Sequence, residues 1–169
     1  MAASEEIQVR PAIEDDATSI MRLYDDIDQL HTREMPHIFR ETNGSTRSAS
    51  WLRVNLEHPN YLMLVAEQTG TIVGMVEGHF HRVPSSPMYH QRALVMVDTL
   101  VVSAAHQRQG IGRLLMEELE SWARRSGARD VQLMVWDFNE AAKQFYASLG
   151  YHPMYQRLNK PLDDANSKS

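Results

Sequence analysis

Val95-Met-Val-Asp-Thr-Leu-Val-Val-Ser-Ala-Ala-His-Gln-Arg-Gln-Gly-Ile-Gly112 reads, in order, as a strand, a turn, a glycine loop and the start of a helix. The helix that follows carries apolar residues at Ile111, Leu114, Leu115, Leu119, Trp122 and Ala123, the 3.6-residue spacing of an amphipathic helix. The first-turn N–H groups of such a helix have no intrahelical acceptor and lie at the positive end of its dipole. Gly110 and Gly112 let a ligand come close to that backbone, so the loop suits a pyrophosphate.

Two other phosphate loops are excluded. A P-loop needs Lys followed by Ser or Thr directly after its last glycine, and Gly112 is followed by Arg113-Leu114. The dinucleotide fingerprint needs a third glycine where this chain has Leu115. What remains is Gln107-x-x-Gly110-x-Gly112 after an apolar strand; a plain strand-to-helix turn is its other reading.

A second motif lies downstream. Asp130–Trp136 is a strand candidate between Gly127 and Asp137. Asn139 then caps a helix whose face is Ala142, Phe145, Tyr146 and Leu149, and Gly150 is placed to end it in a left-handed conformation. The glycine loop resembles the acetyl-CoA loop of the GCN5-related N-acetyltransferase (GNAT) superfamily. Asn139, Ala142, Phe145, Tyr146, Gly150 and Tyr151 match that superfamily's second signature.

Composition bounds the rest. The 169 residues, 43% of them hydrophobic, suffice for one domain with a proper core. With no cysteine, disulfides, thiolate metal sites and a Cys nucleophile are excluded. The opening residues lack the basic-then-apolar pattern of a signal peptide, and no apolar run approaches the ~20 residues of a membrane helix. The expectation is a cytoplasmic protein without a membrane partner. A net charge of −5 argues against nucleic-acid binding.

Along the chain, Ile7–Ala12 reads as a strand and residues 14–31 as a helix, with Ile20, Leu23, Tyr24, Ile27 and Leu30 on one face. Residues 32–45 read as a loop. Ser45 or Thr46 is expected to cap a second helix running to about His58. Tyr61–Glu67 and Ile72–Val83 form a hairpin, followed by a loop at 84–87 and the long strand ending near Val102. The resemblance implies an α/β fold: a mixed, strongly twisted central sheet flanked by helices, the acyl-CoA N-acyltransferase fold. The expected order is strand, two helices, three strands, helix, strand, helix and a final strand. One domain is expected over 1–169, with a core at about 6–159 and a polar tail at 160–169.

The resemblance also implies roles. Backbone N–H groups from Arg108 through Gln109, Gly110, Ile111 and Gly112 to Arg113 would hold the cofactor's pyrophosphate, the loop opening at Gln107. Arg108 and Arg113 would add charge, with ordinary solvated surface as their alternative. The pantetheine arm would run like another strand against Leu100, Val101 and Val102, pairing with free backbone groups at Leu100 and Val102. The N–H of Leu100 would donate to the developing oxyanion, while these three side chains read as core packing. Asn139 would hydrogen-bond the cofactor as well as cap its helix, beside Ala142. Tyr146 would protonate the leaving thiolate; a packing ring next to Phe145 is the other reading.

The base is open. Asp98 stands in an otherwise apolar strand, where burying a carboxylate is costly, and several members of the superfamily carry Glu there. Asp98 as a base acting through water, as an ammonium-binding group or as a structural hydrogen-bond partner are the readings. His79 and His81 share a face of their strand, yet no carboxylate is spaced to complete a metal site, so no metal is expected. His31, with Glu34 and His37 nearby, occupies the region that lines the acceptor cleft in this fold, as a substrate-binding group or a base. His90 is one more partly exposed candidate. The implied activity is acetyl-CoA-dependent transfer of an acetyl group to a primary amine of a small molecule, by direct attack in a ternary complex. A protein N-terminal or lysine acceptor and a non-catalytic CoA-binding module are the alternatives. A homodimer is left open, with edge strands near 80–92 or the last strand able to pair.

Overall fold

The computed structural model describes residues 6–41 and 47–162. Five strands form one sheet in the order β1 (Ile7–Pro11), β2 (Tyr61–Gln68), β3 (Thr71–Val83), β4 (Arg92–Val102) and β5 (Asp130–Leu133). The first three junctions are antiparallel and β4–β5 is parallel, so the sheet is mixed. Helices cover both faces, which is why β2 is apolar without alternation: Met63, Leu64, Val65 and Ala66 are all buried.

The register sorts the side chains between two cores. Tyr61 opposite His79, Met63 opposite Glu77 and Val65 opposite Met75 share one face. On that face Ala12, Ile20, Leu23, Tyr24 and Leu52 pack against Tyr61, Met63, Val65 and Met75. They are supplied by α1 (Ala17–Glu34) and α2 (Ala49–Leu56). The other face takes α3 (Ile111–Arg125), which buries Ile111, Leu115, Met116, Leu119 and Ala123, the apolar positions of its 3.6-residue pattern. Burying each large aliphatic side chain contributes about 2 kcal/mol.

Several boundaries differ from the sequence reading. Residues 14–16 form a 3-10 turn ahead of α1, and α1 runs on to Glu34, past the expected loop start at Thr32. Pro36 disfavours helix at the residue before it, and the helix closes with the Met35 N–H on the His31 carbonyl at 2.8 Å. Ser48 caps α2, its hydroxyl accepting from the Trp51 N–H at 3.1 Å; Ser45 and Thr46 lie outside the described residues. β5 stops at Leu133 rather than Trp136, because its ladder with β4 ends where β4 bulges.

From Val135 onward the chain forms a second compact unit. It contains α4 (Glu140–Ser148), whose cap Asn139 accepts from the Ala142 N–H at 3.0 Å. Gly150, at φ 90°, ends the helix. The expected final strand is absent among the described residues. Residues 152–162 carry no ladder; Pro153 and Pro161 lack the N–H a strand needs, and Met154, Tyr155 and Leu158 are exposed. No helix among the described residues is long and apolar enough to cross a membrane.

Candidate active site

The loop after β4 is built from short local bonds. Residues 104–106 make a 3-10 turn, and the Ser103 N–H donates to the Val73 carbonyl at 2.9 Å. Gln107 Nε2 donates to the Val102 carbonyl at 3.0 Å, so the acceptor of that residue is engaged within the protein. Arg108 and Gly110 both have positive φ, 65° and 83°, and Gly110 is the N-cap of α3. A side chain on Gly110 would meet no atom within 4 Å, so the loop is open to solvent there. Leu114 N–H closes the first helical bond onto the Gly110 carbonyl at 3.1 Å. The N–H groups of Ile111, Gly112 and Arg113 therefore have no acceptor inside the helix. Arg108 and Arg113 are exposed and carry no ion pair among the described residues. Left-handed residues, free amides and two cations make a setting that fits a diphosphate.

A bulge lies upstream. Glu77 faces Thr99 and the next residue, Gly78, faces Val97, which leaves Asp98 as the extra residue of β4. Gly78 makes this geometry fit: a Cβ there would lie 2.8 Å from the Met96 carbonyl oxygen. Beyond the bulge β4 keeps its ladder with β3 but loses β5, whose last pair is Val97–Leu133. Among the described residues no strand pairs with that side of Asp98–Val102, and Leu100, Val101 and Val102 are half-buried there.

The bulge aims Asp98 at the α1–α2 face, and a cluster forms that sequence spacing did not reveal. Asp98 Oδ2 lies 2.5 Å from His79 Nδ1, their side chains 40% and 35% exposed. Asp98 was expected buried in an apolar strand; the bulge instead leaves it half-open and partnered. Burial pushes its carboxyl above the usual range, and the His79 hydrogen bond pulls partly back. The His79 ring stacks obliquely on Tyr61 at 4.8 Å and lies 6.2 Å from that of His81. Behind them Glu77 is buried, accepting from the Tyr24 hydroxyl at 2.5 Å and the Tyr61 hydroxyl at 2.6 Å, one phenol on each oxygen. Burial and then the Glu77 charge push both phenols well above their ordinary range, so they remain donors. The Arg47 guanidinium lies 3.8 Å over the Tyr24 ring and pairs with Asp28 at 2.9 Å.

Tyr24, Tyr61 and Glu77 were not singled out in the sequence. One signal existed: Glu77 interrupts the apolar run of β3 just as Asp98 interrupts that of β4. His31 stacks on Phe39 at 5.1 Å, and burial pulls its imidazole below the usual range. Glu34 pairs with its neighbour Arg33, while His37 and His90 are exposed. Among the described residues no three His, Cys, Asp or Glu side chains are placed to hold a metal ion.

In the second unit, Tyr146 packs edge-on against Phe145 and Tyr151, with ring centroids at 5.1 and 5.7 Å. Burial pushes its phenol up to about 12. Asn139 Oδ1 is spent on the helix cap, leaving its amide N–H groups for other partners.

Comparisons with known proteins point to one family. The sequence profile of the acetyltransferase (GNAT) family matches residues 24–151. A probable N-acetyltransferase of Arabidopsis thaliana is 35% identical over 113 residues, 55% of this chain, and the chain spans only 27% of that protein's length. The mouse N-alpha-acetyltransferase 80 is 37% identical over 94 residues, 55% of this chain and 28% of its own length. An uncharacterized N-acetyltransferase of Bacillus subtilis is 21% identical, with 86% of this chain and 89% of its own covered. Among solved structures, a mutant of the BH1408 protein of Bacillus halodurans superimposes with a TM-score of 0.88 at 29% identity, covering 92% of this chain and 99% of that one. An aminoglycoside acetyltransferase from a soil metagenome, solved with sisomicin, has a TM-score of 0.63 at 21% identity, with 93% and 97% covered; that likeness is one of fold.

Proposed function

The chain belongs to the acetyltransferase (GNAT) family, and on that premise we propose that it transfers an acetyl group from acetyl-CoA to a primary amine of a small molecule, with both reactants bound together. The observation that carries this reading is the left-handed loop at Arg108–Gly110, opening α3 with unpartnered amides directly after a strand whose outer edge is free. The amides of Ile111, Gly112 and Arg113, with the charges of Arg108 and Arg113, hold the diphosphate. The open edge at Leu100–Val102 takes the amide-bearing arm as another strand would, and the Leu100 N–H donates to the acyl oxygen as charge develops there. One such donor is typically worth ~3 kcal/mol. When bound, the thioester supplies a carbon open to attack and a sulfur that leaves.

Tyr146 is the proton donor to that sulfur in this reading. A phenol held up near 12 keeps its proton at neutral pH. The acceptor enters at the cluster around Asp98. Two carboxylates, Glu77 and Asp98, share that face of the sheet, which favours an acceptor arriving as a cation. A second reading, a protein N-terminal amine as acceptor, draws on the mouse relative, whose name is that of an N-alpha-acetyltransferase.

Calorimetry with acetyl-CoA and with CoA, followed by a thiol-release assay over an amine panel, tests the reading. Saturable binding and turnover with a small amine support it. Turnover with a peptide α-amine alone favours the second reading. Binding without any turnover points to a CoA-binding module, and no binding overturns the proposal.

A further inference from the structure

His79 is held at one ring nitrogen and bare at the other. Nδ1 faces Asp98 Oδ2 at 2.5 Å, whereas Nε2 has no partner among the described residues. The hydrogen bond made by one imidazole nitrogen decides the state of the other. An ionised Asp98 accepts from Nδ1–H, so the neutral ring keeps its lone pair on Nε2, and the ring is open enough for a substrate to reach it. We propose that His79, positioned by Asp98, is the group that takes the proton from the acceptor's ammonium, and that Glu77 and Asp98 select a cationic primary amine. This rests on the acetyltransferase reading above.

One neighbouring carboxylate is closed to a substrate. Glu77 is buried and each of its oxygens already holds a phenol, from Tyr24 on α1 and Tyr61 on β2. It acts as a fixed negative charge and cannot meet a substrate. Asp98 is bonded to His79 through Oδ2 and, in this proposal, acts through it as a positioning residue. His81 stands on the same strand face with its ring 6.2 Å away, and Arg47, over the far side of Tyr24, is paired with Asp28. The charges facing His79 are therefore mainly negative, a setting that suits the approach of a cationic acceptor.

The step balances. One ammonium proton passes to Nε2 and from there to solvent. The freed lone pair forms the amide C–N bond as the C–S bond breaks. Of the two protons left on nitrogen, one stays on the amide and the other ends on the departing sulfur.

Two measurements on the full chain test this. The first needs no acceptor: NMR of the histidine ring nitrogens, assigned with His79→Gln. Nδ1–H with a bare Nε2 is expected, and loss of that tautomer preference in Asp98→Ala. Nε2–H in the neutral ring, or a tautomer indifferent to Asp98→Ala, overturns the proposal. The second is the pH profile of acetyl transfer to spermidine, tyramine, lysine and a free-N-terminus peptide. His79→Gln should lower kcat/KM by about 10²-fold or more and abolish the acidic limb. Asp98→Asn should also lower kcat/KM while keeping that limb, with Asp98→Glu recovering part of the rate. A limb lost in Asp98→Asn but kept in His79→Gln makes Asp98 the base and overturns the proposal. Failure to bind acetyl-CoA would instead sink the acetyltransferase reading, and the ring-nitrogen result would still decide the His79 arrangement.

Discussion

Tyr146 has a ring packed between two others and a hydroxyl with no hydrogen-bond partner among the described residues. Phenylalanine would fill the same space, so the hydroxyl is the atom to explain. With burial holding the phenol near 12, it keeps its proton throughout the neutral range. Tyr146→Phe should lower kcat by about 10²-fold while leaving acetyl-CoA affinity by calorimetry unchanged. Unchanged turnover would reduce Tyr146 to a packing ring. The family signature marked Tyr146 and Asn139 in the sequence because both sit on one short helix at fixed spacing. Glu77, Tyr24 and His79 escaped notice as a group because they meet only through strand pairing and helix packing.

At the scale of the element, the decisive feature is the start of α3. Gly110 sits at φ 83° with open space where a side chain would be. An alanine there keeps the fold but costs about 1 kcal/mol of backbone strain, roughly 2–4 °C in Tm. Its methyl group would also stand where a ligand approaches the amides, so Gly110→Ala should weaken acetyl-CoA binding by about tenfold, ~1.4 kcal/mol. Gly127, beyond the other end of α3, has φ 84° and equally open surroundings. Gly127→Ala is the control: a similar fall in Tm with affinity intact. Equal affinities in the two variants would separate the loop from cofactor binding. Most elements were readable because each carries its own period or cap, as in α3 and the Asn139 cap of α4. Errors fell at ends and edges, where β5 stops at the bulge and the last segment carries no ladder.

For the molecule as a whole, one polar network ties β1, the turn before α1 and β2. Arg10 donates to Asp16 at 2.8 and 2.9 Å and to Glu67 at 2.8 Å, and the buried Asp16 also accepts from the Ile13 N–H at 2.9 Å. Burial alone would push the Asp16 carboxyl up, but the hydrogen bonds from Arg10 and Ile13 carry it below the usual 3.8. A depressed folded-state value means stabilisation that is fully present above the unfolded-state value and lost as pH falls through the folded one. Asp16→Ala should cost about 3 kcal/mol in urea unfolding at neutral pH. The gap to the unaltered protein should shrink as the pH drops below the usual carboxylate range. A gap independent of pH would show that the network's charge is not what stabilises.

The sequence by itself determined the family, the helix opening at Gly110, the order of most elements and the capped helix carrying Tyr146. These rest on spacing within a few residues, where backbone conformation and periodicity are set locally. Only the tertiary structure decided the bulge at Asp98, the pairing of Asp98 with His79 and the two phenols on Glu77. Those contacts join residues 16 to 53 positions apart. Their geometry depends on the register of β3 against β4 and on α1 lying over the sheet, which no local pattern records.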